Sequence, residues 1–188
     1  MKNTKKSIIA ISIRLVAKNQ APDYYPFIEA PKARHFFLRE LYAYMEKQEY
    51  CFSIQQHLDE IILVLDAENP NTYTNLPTLH NHILQSLQTC NGYIQKHNWN
   101  YKLQVYIAAD AGQSEIIILP ASNRFPAMIN WTGLHVDRVS TLTKEMSMGI
   151  YPSKIITHSL YKRLSSEKQK KYSTLYYIRH ICCYSIDQ

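Results

Sequence analysis

A chain of 188 residues with 46% hydrophobic content can bury about 70% of its unfolded surface, so its core needs no disulfide or metal staple. A net charge of +6 and a pI near 9.0 permit an anionic partner such as nucleotide, nucleic acid or acidic protein, without choosing among them. Four glycines are too few for the Gly-rich phosphate loops of many nucleotide-binding folds, and no apolar run is long enough to span a membrane. Cys51, Cys90, Cys182 and Cys183 make no CxxC pair and read as reduced thiols of a cytoplasmic protein. The opening MKNTKKSIIAISIRLV is basic and then apolar, but Ser12 and Arg14 break the run. No small-residue cleavage site follows, so no signal peptide is expected.

Ser7 to Val16 is apolar and β-branched and predicts a buried strand. Three prolines mark Ala21 to Pro31 as a loop. Lys32 to Gln48 is helical, with Phe36, Phe37, Leu41, Tyr44 and Met45 at helical spacing. Cys51–Gln56 and Glu60–Leu65 are two strands joined at His57-Leu58-Asp59. Glu68 to Pro77 is a turn-rich linker. Thr78 is the candidate N-cap of a helix to about His97, with Leu79, Ile83, Leu87, Cys90 and Ile94 on one face. Tyr101–Ala109 and Glu115–Leu119 are strands around a turn at Asp110 to Gln113. Thr132 to Glu145 is a helix opening with Gly133, its inner face Val136, Val139 and Leu142. Lys154–Thr157 is a strand, Ser159–Leu164 a short helix, Lys168–Lys171 a charged turn and Thr174–Tyr184 a last strand. This order predicts one domain over residues 1–188, an α/β (α+β) sandwich without repeats.

Several segments resemble a known family. GLHVDRVSTLTKEM followed by PSKIITHSLYKRLS is similar to the glycine, Val-Asn-x-Ala-Ser-Arg-Leu helix and following strand and helix of class III adenylyl and guanylyl cyclases. HLDEIILVLDA resembles their Gly-Asp-Glu hairpin, YIAADAG their Gly-Ile-His-Thr-Gly strand end, and AISIRLV their first strand, Asp-Ile-x-Gly-Phe. The likeness runs from Ser7 to Leu164. It implies a ferredoxin-like palm: a mainly antiparallel sheet with helices on one face. It also implies a head-to-tail homodimer with composite sites at its interface.

The resemblance also assigns positions. Cyclisation of a nucleoside triphosphate normally needs two divalent ions, Mg²⁺ or Mn²⁺, held by two aspartates. One maps onto Asp59, with Glu60 beside it, and the other onto Ser12, a poor substitute for a bridging carboxylate. Asp59 is equally a good turn residue. Asp66 points to the opposite strand face from Asp59 and is no replacement. The ribose-orienting asparagine maps onto Asp137, which repels phosphate, and the charge-offsetting arginine onto Thr141, which carries no charge. Arg138 and Lys144, each three residues from Thr141, share part of its face, and on the resemblance one of them could reach phosphate. The alternative is that both are solvated helix charges.

The base-selecting positions map onto Gln55 and Asn130, an amide pair able to read the edge of a base. Leu15 replaces a glycine that lets backbone approach phosphate. No cofactor follows from these residues, though Mg²⁺ or Mn²⁺ would serve an active form. The functions implied are a non-catalytic dimer that senses nucleotide, or an active divergent cyclase of the small kind found in bacterial anti-phage systems. A third is a basic nucleic-acid-binding module, suggested by Tyr172, Tyr176, Tyr177 and Tyr184 among Lys168, Lys170, Lys171, Arg179 and His180. An edge strand with a soluble rim explains that last cluster better. His80 and His82 diverge on a helix, lack further ligands and are expected to be solvated.

Overall fold

Thirteen elements follow one another in the computed structural model, which describes residues 4–19, 29–57, 59–119 and 128–186. Strand β1 (Thr4–Asn19) carries Ile8, Ile9, Ala10, Ile11 and Ile13, all at most 4% exposed, so both faces of its middle are covered. Helix α1 (Glu29–Met45) follows, then the hairpin β2 (Cys51–Gln56) and β3 (Glu60–Asp66), helix α2 (Pro70–Lys96), and the long β4 (Tyr101–Leu119). β5 (Met128–Thr132) leads into α3 (Leu134–Met148). β6 (Lys154–Thr157), the single-turn helices α4 (His158–Tyr161) and α5 (Ser166–Gln169), and the hairpin β7 (Tyr172–Ile178) and β8 (Ile181–Ile186) complete the order.

The strands form one mixed sheet in the order β2-β3-β1-β4-β6-β8-β7, with β5 on β4. β3 runs antiparallel to both β1 and β2, β5 to β4, and β8 to both β6 and β7, while β4 and β6 are parallel. The mainly antiparallel α+β architecture inferred from the sequence is therefore present.

Four local expectations are corrected. The linker over Glu68–Pro77 is mostly helix: α2 starts at Pro70, and Thr78 lies inside it. Pro77 has no N–H to give the Tyr73 carbonyl four residues back. Lys168 Nζ donates to that carbonyl instead, at 2.6 Å. The turn at Asp110–Gln113 does not exist, because β4 runs unbroken through it. Gly112 stands there because a Cβ would fall within the His135 ring, so it serves close approach and not chain reversal. The last strand is a hairpin, reversed at Arg179 and His180 with φ of 45° and 65°. The Asn-Gly signal of such a turn is missing from its sequence. The charged turn over Lys168–Lys171 falls partly in α5. β5 was not expected as a strand. Leu58 and most of the Ala21–Pro31 loop lie outside the described residues.

The chain divides into two compact units. One takes in Met1–Arg14, Tyr50–Tyr73 and Tyr106–Gln188, the other Leu15–Glu49 and Thr74–Val105, as far as these are described. In the second unit Phe37, Leu41 and Met45 of α1, with Leu79, Ile83, Cys90 and Ile94 of α2, are at most 1% exposed, as the helical spacing requires. Phe36 stacks on Tyr93 at 5.8 Å and Tyr44 on His82 at 4.1 Å. His82 is thus half-buried and stacked rather than solvated. No group of three or more metal-ligating side chains occurs among the described residues. In the first unit Val136, Val139, Leu142, Thr143 and Met146 form the buried face of α3.

Candidate functional site

Helix α3 separates two kinds of polar residue. Asp137, Thr141 and Lys144 recur at spacings of four and three and share one face. Asp137 and Lys144 are exposed and Thr141 is half-buried. His135, Arg138, Ser140 and Thr143 turn toward two buried carboxylates on the strands.

The first carboxylate is Glu60, 5% exposed at the start of β3. Arg14 and Glu60 are register partners, and Ser12 pairs with Ile62 two residues along. Ser12 and Arg14 therefore share a strand face. Ser12 Oγ donates to Glu60 Oε1 at 2.5 Å and lies 2.7 Å from Thr143 Oγ1. Ser140 Oγ donates to Glu60 Oε2 at 2.8 Å. The Arg14 guanidinium approaches the same Oε2 at 3.4 Å and donates to Asp59 Oδ2 at 2.5 Å. The metal candidate Asp59 and the nucleotide candidate Ser12 are thus each already engaged, Asp59 with Arg14 and Ser12 with Glu60 and Thr143.

Mg²⁺ or Mn²⁺ keeps several waters and needs at least one or two free carboxylate oxygens. Here the inner oxygen of Asp59 faces a guanidinium, and the Ser12 hydroxyl gives its proton to Glu60. Glu60 itself is saturated by Ser12, Ser140 and Arg14. These residues do not fit a bound Mg²⁺ or Mn²⁺.

The second carboxylate is Asp110, fully buried in β4. Its Oδ1 accepts from the Ala111 N–H at 2.9 Å and from the Thr157 hydroxyl. Its Oδ2 faces His135 Nδ1 at 2.8 Å and accepts from Arg138 at 3.0 Å. Arg138 is accordingly committed to Asp110 and is not a solvated helix charge. Burial pushes the nearby Cys183 thiol up to about 12, with Cys182 and Asp110 adding to the rise and Arg138 opposing it. Sequence reasoning took Asp110 for a turn residue. The usable signal was an acidic side chain inside a continuous apolar run.

A third feature lies on the β2 and β5 strands. Gln55 Nε2 donates to Asn130 Oδ1 at 3.1 Å, so the two positions that the resemblance assigned to base choice touch. Next to them Trp131, 4% exposed, stacks on Phe52 at 5.4 Å. The basic and aromatic cluster near the C-terminus is dispersed: Tyr184 stacks on Tyr161 at 4.1 Å, Arg179 pairs with Glu145 at 2.6 Å, and Lys168 holds Tyr73. β7 is an edge strand.

No family model matches the sequence, and neither does any curated protein. Solved structures do match. A bacterial light-regulated adenylyl cyclase aligns with 100% of this chain at a TM-score of 0.74 and 10% identity, the chain spanning 53% of that protein. An adenylyl cyclase from P. aeruginosa aligns with 100% of the chain and 97% of its own length, at a TM-score of 0.72 and 11% identity. The guanylate cyclase domain of RhGC from Catenaria anguillulae, solved in complex with GTP, covers 98% of each chain at a TM-score of 0.61 and 13% identity. The chain has the fold of a class III nucleotidyl cyclase domain.

At identities this low the likeness establishes the cyclase fold and leaves the chemistry to the residues present. On this cyclase fold Ser12 sits in β1 and Asp59 immediately before β3, which pairs with β1, and Asp137 and Thr141 sit one turn apart on α3. Leu15 is 3% exposed in β1, so its side chain fills space where the resemblance has a glycine. No helix among the described residues is long and apolar enough to cross a membrane.

Proposed function

We propose that this cyclase-fold chain is a non-catalytic, cytoplasmic homodimer that senses a nucleotide or regulates a partner. One observation carries the reading: Asp59, at a catalytic position of the family, is paired with Arg14, and Arg138, beside Thr141, is paired with Asp110. Cyclisation builds negative charge at the α-phosphate. Losing one preorganised donor from such a site costs roughly 10² to 10³ in rate. Ser12, Asp137 and Thr141 stand where three such groups belong, so turnover falls to background even with partial non-additivity.

Base recognition does not need those groups. The Gln55–Asn130 pair can present the Gln55 acceptor and the Asn130 donors side by side to a base edge. By family analogy Trp131 to Leu142 lies near a two-fold interface, facing the Asp59 hairpin of the partner.

The test is incubation of the protein with ATP, GTP, CTP or UTP and Mn²⁺, read by mass spectrometry. No cyclic mononucleotide is expected. A cyclic product that Asp59→Ala abolishes would overturn the non-catalytic reading. Calorimetry without metal should detect binding of one nucleotide, weakened at least about tenfold in Gln55→Ala, the loss of about 1.4 kcal/mol. A strictly monomeric species by light scattering at tens of micromolar, a working range for weak dimers, would remove the dimer.

A further inference from the structure

We propose that Arg14 is a built-in cation that plugs a latent divalent-metal site, so that this chain needs no metal there and excludes one. The proposal rests on the cyclase-like reading of Ser12 and Asp59 as the metal face. It adds to that reading the residue that closes the face. Substitution of one aspartate by Ser12 would weaken a metal site without filling it. Arg14 fills it.

Position decides the assignment. Arg14 sits two residues after Ser12 on the same face of β1 and directly opposite Glu60 on β3. One guanidinium nitrogen is 2.5 Å from Asp59 Oδ2 and the other is 3.4 Å from Glu60 Oε2. The arginine side chain is 12% exposed and that of Glu60 6%, so the charge is held in the chain and not out in solvent. A planar fork carrying a permanent charge spans two carboxylates in a way that a lysine cannot copy. The two carboxylates and one guanidinium leave a single negative charge, where an open pair would leave two. A divalent ion entering this site would meet a fixed positive charge within a few ångströms, at the strongest range of Coulomb repulsion.

The consequence is that removing the plug uncovers a metal site that the wild type lacks. Mn²⁺ binding, counted from the electron paramagnetic resonance signal of the free ion with no nucleotide present, reads this directly. Wild-type protein should show no saturable site up to roughly millimolar Mn²⁺, the weak end of protein oxygen-ligand sites. Arg14→Gln, which keeps a polar amide but is shorter and drops the charge, should gain one site at least about tenfold tighter than that. Arg14→Gln combined with Asp59→Asn should lose it again.

Two results overturn the proposal. One is saturable Mn²⁺ binding by wild type that Asp59→Asn abolishes. The other is a folded Arg14→Gln protein, judged by a cooperative melt, that gains nothing. If Arg14→Gln does not melt cooperatively, Arg14→Met, an unbranched and uncharged side chain, takes its place. The same gain is expected, and its absence in a folded protein also overturns the plug. The non-catalytic reading fails on a different readout, a cyclic product from wild type, so failure of one is distinguishable from failure of the other.

Discussion

Two buried carboxylates lie under the same helix and are neutralised in the same way, yet they stand in different situations. Asp110 and Glu60 each accept hydroxyl hydrogen bonds, and each faces an arginine. The Asp110 side chain is 0% exposed, and its partners come from β4 itself, α3 and β6. This cluster ties three elements together, with His135 and Arg138 at its outer side 17% and 21% exposed. The Glu60 cluster continues through Arg14 to Asp59, whose side chain is 41% exposed. It is a path from the interior to the surface. The same chemical device is an internal tie where the carboxylate is fully covered and a surface ion pair where the carboxylate is open to water. Depth decides, because desolvation makes each broken contact expensive inside and nearly free outside.

The largest effect should come from breaking the sealed cluster. Asp110→Ala leaves Arg138 and His135 facing a void, and an uncompensated buried charge costs about 3–5 kcal/mol. Urea unfolding should show that loss, and a change below about 1 kcal/mol would refute the tie. Glu60→Gln keeps the shape but removes the charge that Ser12, Ser140 and Arg14 address. It should cost about 1–3 kcal/mol by the same measurement, less than Asp110→Ala. If Glu60→Gln proves the worse of the two, the ranking by depth is wrong.

Asp59→Asn tests the wet end. An ion pair with one partner this exposed is worth under about 1 kcal/mol, and raising the salt concentration should shrink the effect further. Smallest near neutral pH is the thiol response. The Cys183 thiol is raised from 9.0 to about 12, and Cys90 likewise to about 12, so folding favours their neutral forms. That contribution is whole below pH 9.0 and fades as pH climbs toward about 12, so native stability should fall across that window. Replacing Cys183 with Ala should reduce the fall. An unchanged pH profile would show that its burial carries no such linkage.

Much of the fold was legible because periodicity is a local property of the chain. β2 at Cys51–Gln56 and β6 at Lys154–Thr157 fall where the residue pattern places them, and the inner faces of α1 and α2 fall on their apolar repeats. Of the candidate site, the resemblance named Ser12, Asp59, Gln55 and Asn130; Gln55 and Asn130 touch, while Ser12 is held by Glu60 and Asp59 by Arg14. Arg138 was noticed, but its partner was not, because Asp110 lies 28 residues earlier in a segment taken for a turn.

What the sequence determined by itself is therefore the element list over its periodic stretches and the identity of side chains at the family's catalytic positions. Both depend on residues near one another in the chain or on type alone. Tertiary structure decided the rest. Asp110 and Gly112 look like breakers until α3 and β6 supply a histidine, an arginine and a hydroxyl that let β4 run through. Pro77 looks like a helix stop until Lys168 satisfies the carbonyl it orphans, from 95 residues away along the chain from Tyr73. Arg14 looks like a charge interrupting an apolar strand until Asp59 meets it across 45 residues. In each case a polar group's cost depends on a partner that only folding brings within hydrogen-bond distance, and no local pattern records that partner.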